Sequence, residues 1–167
     1  MRASYMNRKI HRFASILAAL PILVIVLSGI ALQFKKESDW IQPPAATGSR
    51  PNPTIGFDVI LKAAQSVPQA KIRSWDDVDR LDVRPAKGLV KVRAKNRWEV
   101  QVDTHTGGVL QAALRRSDLI ESIHDGTFFH RAVKHWVFFP AALLLAALWI
   151  TGIYLFLVPY FNRRKRR

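Results

Sequence analysis

The chain has 167 residues, 49% of them apolar, with 26 basic residues against 12 acidic ones and no cysteine. Its net charge of +14 invites a nucleic-acid reading, but the excess is gathered in two short terminal clusters rather than on a folded face. Without cysteine there is no material for a disulfide framework, a zinc–thiolate centre or an iron–sulfur cluster.

Residues 1–12 form a basic N-terminus carrying Arg2, Arg8, Lys9 and Arg12 and no acid. Residues 13–34 then run for 22 positions without a charge. A second uncharged run covers residues 136–161, 26 positions, and ends in a basic tail, 162–167, with Arg163, Arg164, Lys165, Arg166 and Arg167. At about 1.5 Å per residue each run is long enough to cross a hydrocarbon core of about 30 Å. Two transmembrane helices are therefore expected in the lipid bilayer, and the basic clusters predict both termini on the cytoplasmic side. Lys35 and Lys36, just past the first run, argue weakly the other way, but a segment as long as the middle one translocates largely regardless of charge. The rival for the first run is a cleaved signal peptide. Its apolar region would be much longer than usual and no A-x-A site follows, and the middle lies outside in either case. Trp40, Trp136 and Tyr160 fall at interfacial positions. Pro140 is expected in the first turn of the second helix, where it costs little.

Residues 35–55 hold Pro43, Pro44, Gly48, Pro51 and Pro53 and read as an extended linker. Residues 56–115 read as a small domain. Phe57, Ile60, Leu61, Ala64 and Val67 recur at helical spacing until Pro68. Short strand-like runs follow at 71–75 (weakly), 81–84, 89–94, 98–103 and 108–113, with turns at Lys95-Asn96 and at 104–107. In 98–103, Trp98, Val100 and Val102 share one face, and Glu99 and Gln101 fall with Arg97 on the other. Residues 116–135 form a short helix capped by Ser117, broken near Gly126, and a re-entry segment. The expected fold class is an α+β membrane protein, two transmembrane helices flanking one helix packed on a short antiparallel sheet. Asp76, Asp77, Asp79 and Asp82 lack the spacing of a calcium loop and read as a solvated stretch beside Arg73, Arg80 and Arg84. No nucleophile–base constellation, phosphate loop or dinucleotide fingerprint is present, so the chain reads as a non-enzymatic subunit.

The strand–turn–strand run Trp98–Asp103, Thr106-Gly107 and Val109-Leu110 resembles the signature of the PepSY domain. Gly107 can take positive φ there, while Asp103 and Thr106 can bond the turn backbone. Lys9-Ile10-His11-Arg12, Ser28-Gly29-Ile30, Ile123-His124-Asp125-Gly126 and Thr151-Gly152-Ile153 resemble the PepSY-associated transmembrane family, and the likeness covers residues 8–160. The resemblance implies a bacterial inner-membrane protein with a periplasmic α+β domain. Larger relatives have four or more spans, and some are linked to iron or siderophore reduction with haem held by histidine. Two spans per chain would then need a homodimer or a larger membrane complex to build such a core. Spanless PepSY proteins suggest instead a module that binds a periplasmic peptidase or envelope partner, and a purely structural subunit is a third reading.

Under the haem reading the candidate ligands are His11, His130, His135 and His124, serving haem b between helices. His11 falls at the inner boundary and His130 and His135 at the outer one, so a parallel dimer could pair each with its mate. The ordinary alternative is histidine resting among headgroups beside Arg12, Arg131 and Lys134. Ser28, Gly29, Thr151 and Gly152 are expected to serve helix packing, since small residues let spans approach closely. His105 reads as solvated.

Overall fold

In the computed structural model the backbone is described for residues 2–164, and side chains for residues 12–13, 15–153 and 157. Two compact units divide the chain, residues 32–120 and residues 1–31 with 121–167.

The first of these holds helix α2 (Phe57–Gln65) and a four-stranded antiparallel meander: β1 (Val78–Arg84), β2 (Leu89–Ala94), β3 (Trp98–Asp103) and β4 (Val109–Leu114), in that spatial order. Alternation along the strands sends Val90, Val92, Val100 and Val102 to one face, where Ile60 and Ala64 of α2 close an apolar core with Val67, Ala70 and Ile72. The β2–β3 turn is three residues wide, with Arg97 at φ 71° and Trp98 N–H bonded to Asn96 Oδ1 at 3.2 Å. The stretch 71–75 is not a strand. Ser74 begins a 3₁₀ turn (Trp75–Asp77), and its hydroxyl accepts from Asp76 N–H.

The opposite face of the sheet is the main departure from expectation. Its polar side chains are buried, because the Pro-rich segment after Trp40 crosses it as a strap rather than hanging free as a linker. Ala46 N–H donates to Gln101 Oε1 at 2.7 Å, and Gln101 Nε2 donates to Pro44 O at 2.7 Å. Ser49 N–H donates to Asp103 Oδ2 at 2.7 Å. The strap is fixed at its start by Ser117 N–H on Ile41 O, and beyond its end by Asn52 N–H on Pro85 O and Thr54 N–H on Thr104 O.

Helix α3 (Arg116–His124) starts one residue after β4 ends. Arg115 N–H is still bonded to Arg97 O, so Ser117 lies inside the first turn rather than capping it. The second unit contains α1 (Arg2–Gln33) over most of its length, the α3 C-terminus, α4 (Arg131–Val133), a π turn (Lys134–Phe138) and α5 (Phe139–Arg164). The last helical stretch thus begins at Arg131, five residues before the uncharged run, because Arg131 and Lys134 do not oppose helix formation. Pro140 is the second residue of α5, in the first turn of that helix. It lacks the N–H for an α-helical bond, and the π turn immediately before it, closed by Phe139 N–H on Lys134 O, absorbs the broken register.

Ser15–Lys36 and Arg131–Ile153 are long and apolar enough to cross a membrane. Their large side chains point outward, as with Leu20 at 70% and Trp149 at 69% exposure. Apolar surface of that extent suits lipid rather than water. The molecule is an α+β membrane protein.

Candidate functional site

Of the four candidate ligand histidines, the structure ties one to a second candidate motif. His124, at the end of α3, lies with Nδ1 3.0 Å from Ser28 Oγ and 3.1 Å from Ile25 O on α1. A carbonyl oxygen only accepts, so Nδ1 carries a proton and donates, and in the neutral ring Nε2 is then the nitrogen with a lone pair. The Ser28 hydroxyl bonds back to Val24 O and accepts from the ring. A Cβ on Gly29 would sit 3.3 Å from His124 Cε1, so glycine there lets the imidazole lie close to the helix.

The neighbours of His124 hold its segment in place. Gly126 takes φ 80° and ends α3, its N–H bonded to Ile123 O. Asp125 accepts from Lys134 Nζ at 2.8 Å, Thr127 Oγ1 at 2.6 Å and Thr127 N–H at 3.0 Å. Burial opposes its ionisation, but the Lys134 ammonium and the Thr127 donors outweigh that and bring its pKa down to about 2.

His130 is arranged the opposite way. Its Nδ1 accepts Ala132 N–H at 3.1 Å as the N-cap of α4, so in the neutral ring Nε2 carries the proton. His135 lies exposed in the π turn. His105 is exposed and 3.1 Å from Thr54 Oγ1. The side chain of His11 lies outside the described residues. No group of three metal-ligating side chains occurs among the described residues.

The second glycine motif behaves differently from the first. Thr151 Oγ1 bonds Ala147 O and Leu148 O of its own helix at 2.8 and 3.0 Å, and a Cβ on Gly152 would meet nothing within 4 Å. Thr151 and Gly152 therefore present an open notch on α5.

In the sheet unit Asp103 organises both the β3–β4 turn and the strap. Its Oδ1 accepts His105 N–H at 2.7 Å and Thr106 N–H at 3.1 Å, and Gly107 takes φ 75° with its N–H on Asp103 O. Thr106 Oγ1 accepts Gly108 N–H at 3.2 Å. Burial raises the Asp103 pKa, yet the backbone donors of His105, Ser49 and Thr106 hold it well below the usual carboxylate range.

Beside it lies a buried ionic layer with no counterpart in the sequence reading. Glu99 accepts Lys91 Nζ at 3.0 Å, Arg115 NH1 at 2.7 Å and Gln101 Nε2 at 2.8 Å, and all four side chains are buried. Arg115 also pairs with Asp118 at 3.2 Å and reaches Gln42 Oε1 on the strap at 3.3 Å. The available signal was Lys91 and Glu99, two residues of opposite charge on neighbouring predicted strands. The four acids of 76–82 are engaged locally: Asp76 with Ser74, Asp77 with the Arg73 and Ser74 amides, Asp79 with Arg80 and Asp82 with Arg84.

No curated protein and no solved structure matches this chain. A family model does match it, that of the PepSY-associated TM region, over residues 8–167. With essentially its whole length matched, the chain belongs to that family.

Proposed function

We propose that this protein is an accessory, electron-conducting subunit of membrane iron or haem redox chemistry. It resides in the bacterial inner membrane with both termini cytoplasmic and the sheet unit periplasmic, and it works as a homodimer or within a larger complex. The charge distribution supports the orientation, and the outward apolar surfaces of α1 and α5 and the open notch at Thr151-Gly152 support helix partners.

The observation that carries the redox reading is the hydrogen bonding of His124. A ligand histidine commonly donates its other ring N–H to a carbonyl or hydroxyl, which fixes tautomer and ring orientation. Ile25 O and Ser28 do this for His124 and leave Nε2 free to bind a metal. The donor set thus fits one imidazole ligand for haem b per chain: His124 would hold the group from this chain, and a second imidazole would come from another copy or a partner subunit. His130 fits less well, because its acceptor nitrogen is spent on the α4 cap. Haem held by two imidazoles supplies one-electron transfer between ferric and ferrous iron.

The test is a reduced-minus-oxidised visible spectrum of the full chain purified in detergent after expression with added haem. A sharp b-type α-band that His124→Ala abolishes and His130→Ala retains is expected. A flat spectrum from folded protein, or a band indifferent to His124→Ala, would sink the redox reading. Weight would then pass to a periplasmic interaction module. That second reading is favoured by an open cleft of 410 Å³ beside edge strand β1, lined by Phe57, Trp75, Val78, Arg80 and Leu81, whose two exposed rings meet edge-to-face at 6.1 Å.

A further inference from the structure

We propose that the strap Ile41–Ser49 is a releasable latch that lifts off the β2–β3 face while the rest of the sheet unit stays folded, and reseats on Gln101 and Asp103. The inference does not depend on any cofactor.

Three features of the closed state carry it. The strap is held by polar bonds with little apolar burial. Ile41 and Pro43 are buried, but Pro44, Ala45, Thr47 and Ser49 remain exposed. Both clasps read mainly main chain, the exception being the Ser49 hydroxyl, which donates to Asp103 Oδ1 at 3.2 Å. The Gln101 amide takes the N–H of Ala46 and the C=O of Pro44, and the Asp103 carboxylate takes the N–H of Ser49. Because the strap contributes so few side chains, its departure removes few packing contacts.

The surface beneath it is the second feature. Leu89 is the single large apolar side chain on that face of β2 and β3; the others are Lys91, Arg93, Glu99, Gln101 and Asp103, with Arg115 alongside. Taking charged groups out of water is costly, and letting water back recovers that cost. An apolar interface has no such return on opening.

The third feature is what the closed state leaves unmade. Arg93 Nε on this face, which lies 3.8 Å from Glu99 Oε2 as an ion pair, and Thr104 Oγ1 at its end are buried without a hydrogen bond. Water entering under a lifted strap could satisfy both. The anchors at Ile41 O, Pro85 O and Thr104 O confine the motion to the segment between them, and within it the bond from Gly48 N–H to Lys87 O at 2.8 Å must break along with the two clasps.

Residue-resolved amide exchange on the full chain in detergent tests the latch. The amides of Ala46 and Ser49 are expected to be protected at least about 100-fold less than those of Val92 and Val100, and to open with little dependence on low denaturant, as local openings do. Gln101→Ala should speed Ala46 exchange by about tenfold, the equivalent of one net hydrogen bond, and leave Val92 and Val100 unchanged. Strap amides sharing the protection and denaturant dependence of Val92 and Val100 would overturn the proposal. So would a Gln101→Ala variant that speeds all four amides equally, since the strap would then open only when the sheet unfolds.

Discussion

The two faces of the sheet are both buried and are held by different physics. On the α2 side Val90, Val92, Val100 and Val102 lie among Ile60, Ala64, Val67, Ala70 and Ile72. That side draws on non-directional removal of apolar area from water. On the strap side Lys91, Glu99, Gln101 and Arg115 are equally buried, but each must find its partner at one distance and angle. The apolar face therefore tolerates change of shape, and the polar face tolerates change of partner hardly at all. Burial alone does not reveal which kind of face a residue belongs to.

The largest expected effect is a break in the polar layer. Glu99→Gln removes the negative charge that Lys91 and Arg115 share, and leaving buried charge uncompensated costs about 3–5 kcal/mol. Denaturant unfolding of the full chain in detergent, followed by tryptophan fluorescence, measures the loss. A triple replacement, Lys91→Met with Glu99→Leu and Arg115→Met, sharpens the point. It should cost less than the single change, because no charge is left behind. A triple variant less stable than Glu99→Gln would show that the layer contributes net stability, and the contrast between the faces would weaken.

That contrast also marks where the sequence could be read and where it could not. Alternation from Trp98 to Asp103 located β3 and sorted its residues correctly between faces, because period two is a local property of the strand. It could not show that Glu99 and Gln101 are covered, because the cover comes from residues 41–49, fifty or more positions earlier. Their Pro, Ala, Gly and Ser content signals an extended chain and nothing about what lies under it. The glycine motifs teach the same lesson. Ser28-Gly29 and Thr151-Gly152 look alike in sequence, and both hydroxyls bond back to the preceding turn. One glycine faces the imidazole of His124 and the other faces open space, a difference set by residue 124 and not by the motif. The onset of the last helical stretch was misplaced for another reason. An uncharged run marks what can sit in lipid, and a helix can extend past it on residues as polar as Arg131 and Lys134.

A middle-sized effect is expected on the apolar face. Val100 is fully buried, and Val100→Ala removes two methyl groups from a packed core for a cost of about 2 kcal/mol. Val100→Ile adds a methylene to the same packed site and should cost about 1–3 kcal/mol, less than the single change Glu99→Gln, which strands the charges of Lys91 and Arg115. The same unfolding measurement decides it. A cost for Val100→Ala above that of Glu99→Gln would reverse the ranking of the two faces.

The smallest effect concerns the carboxylate that joins the sheet to the strap, and pH gives it a signature that no apolar change can imitate. The folded-state pKa of Asp103 is depressed below its value in the unfolded chain. A depressed carboxylate contributes stability that is fully present above the unfolded pKa of about 3.9 and is lost as pH falls through the folded value. The wild-type protein should therefore hold the contribution of Asp103 unchanged from pH 7 down to about pH 5 and lose it only below about pH 4. Asp103→Asn keeps an acceptor oxygen for the amides of His105 and Thr106 but loses the charge and places an NH2 donor where Oδ2 accepts Ser49 N–H, and should be less stable by about 1–2 kcal/mol at pH 7. Since Asn does not titrate, the gap between variant and wild type should close as the pH drops below about 4, while the gap for Val100→Ala stays constant. A gap for Asp103→Asn that did not narrow in acid would mean that the charge of Asp103 contributes nothing, and that the whole cost is the acceptor lost to Ser49 N–H.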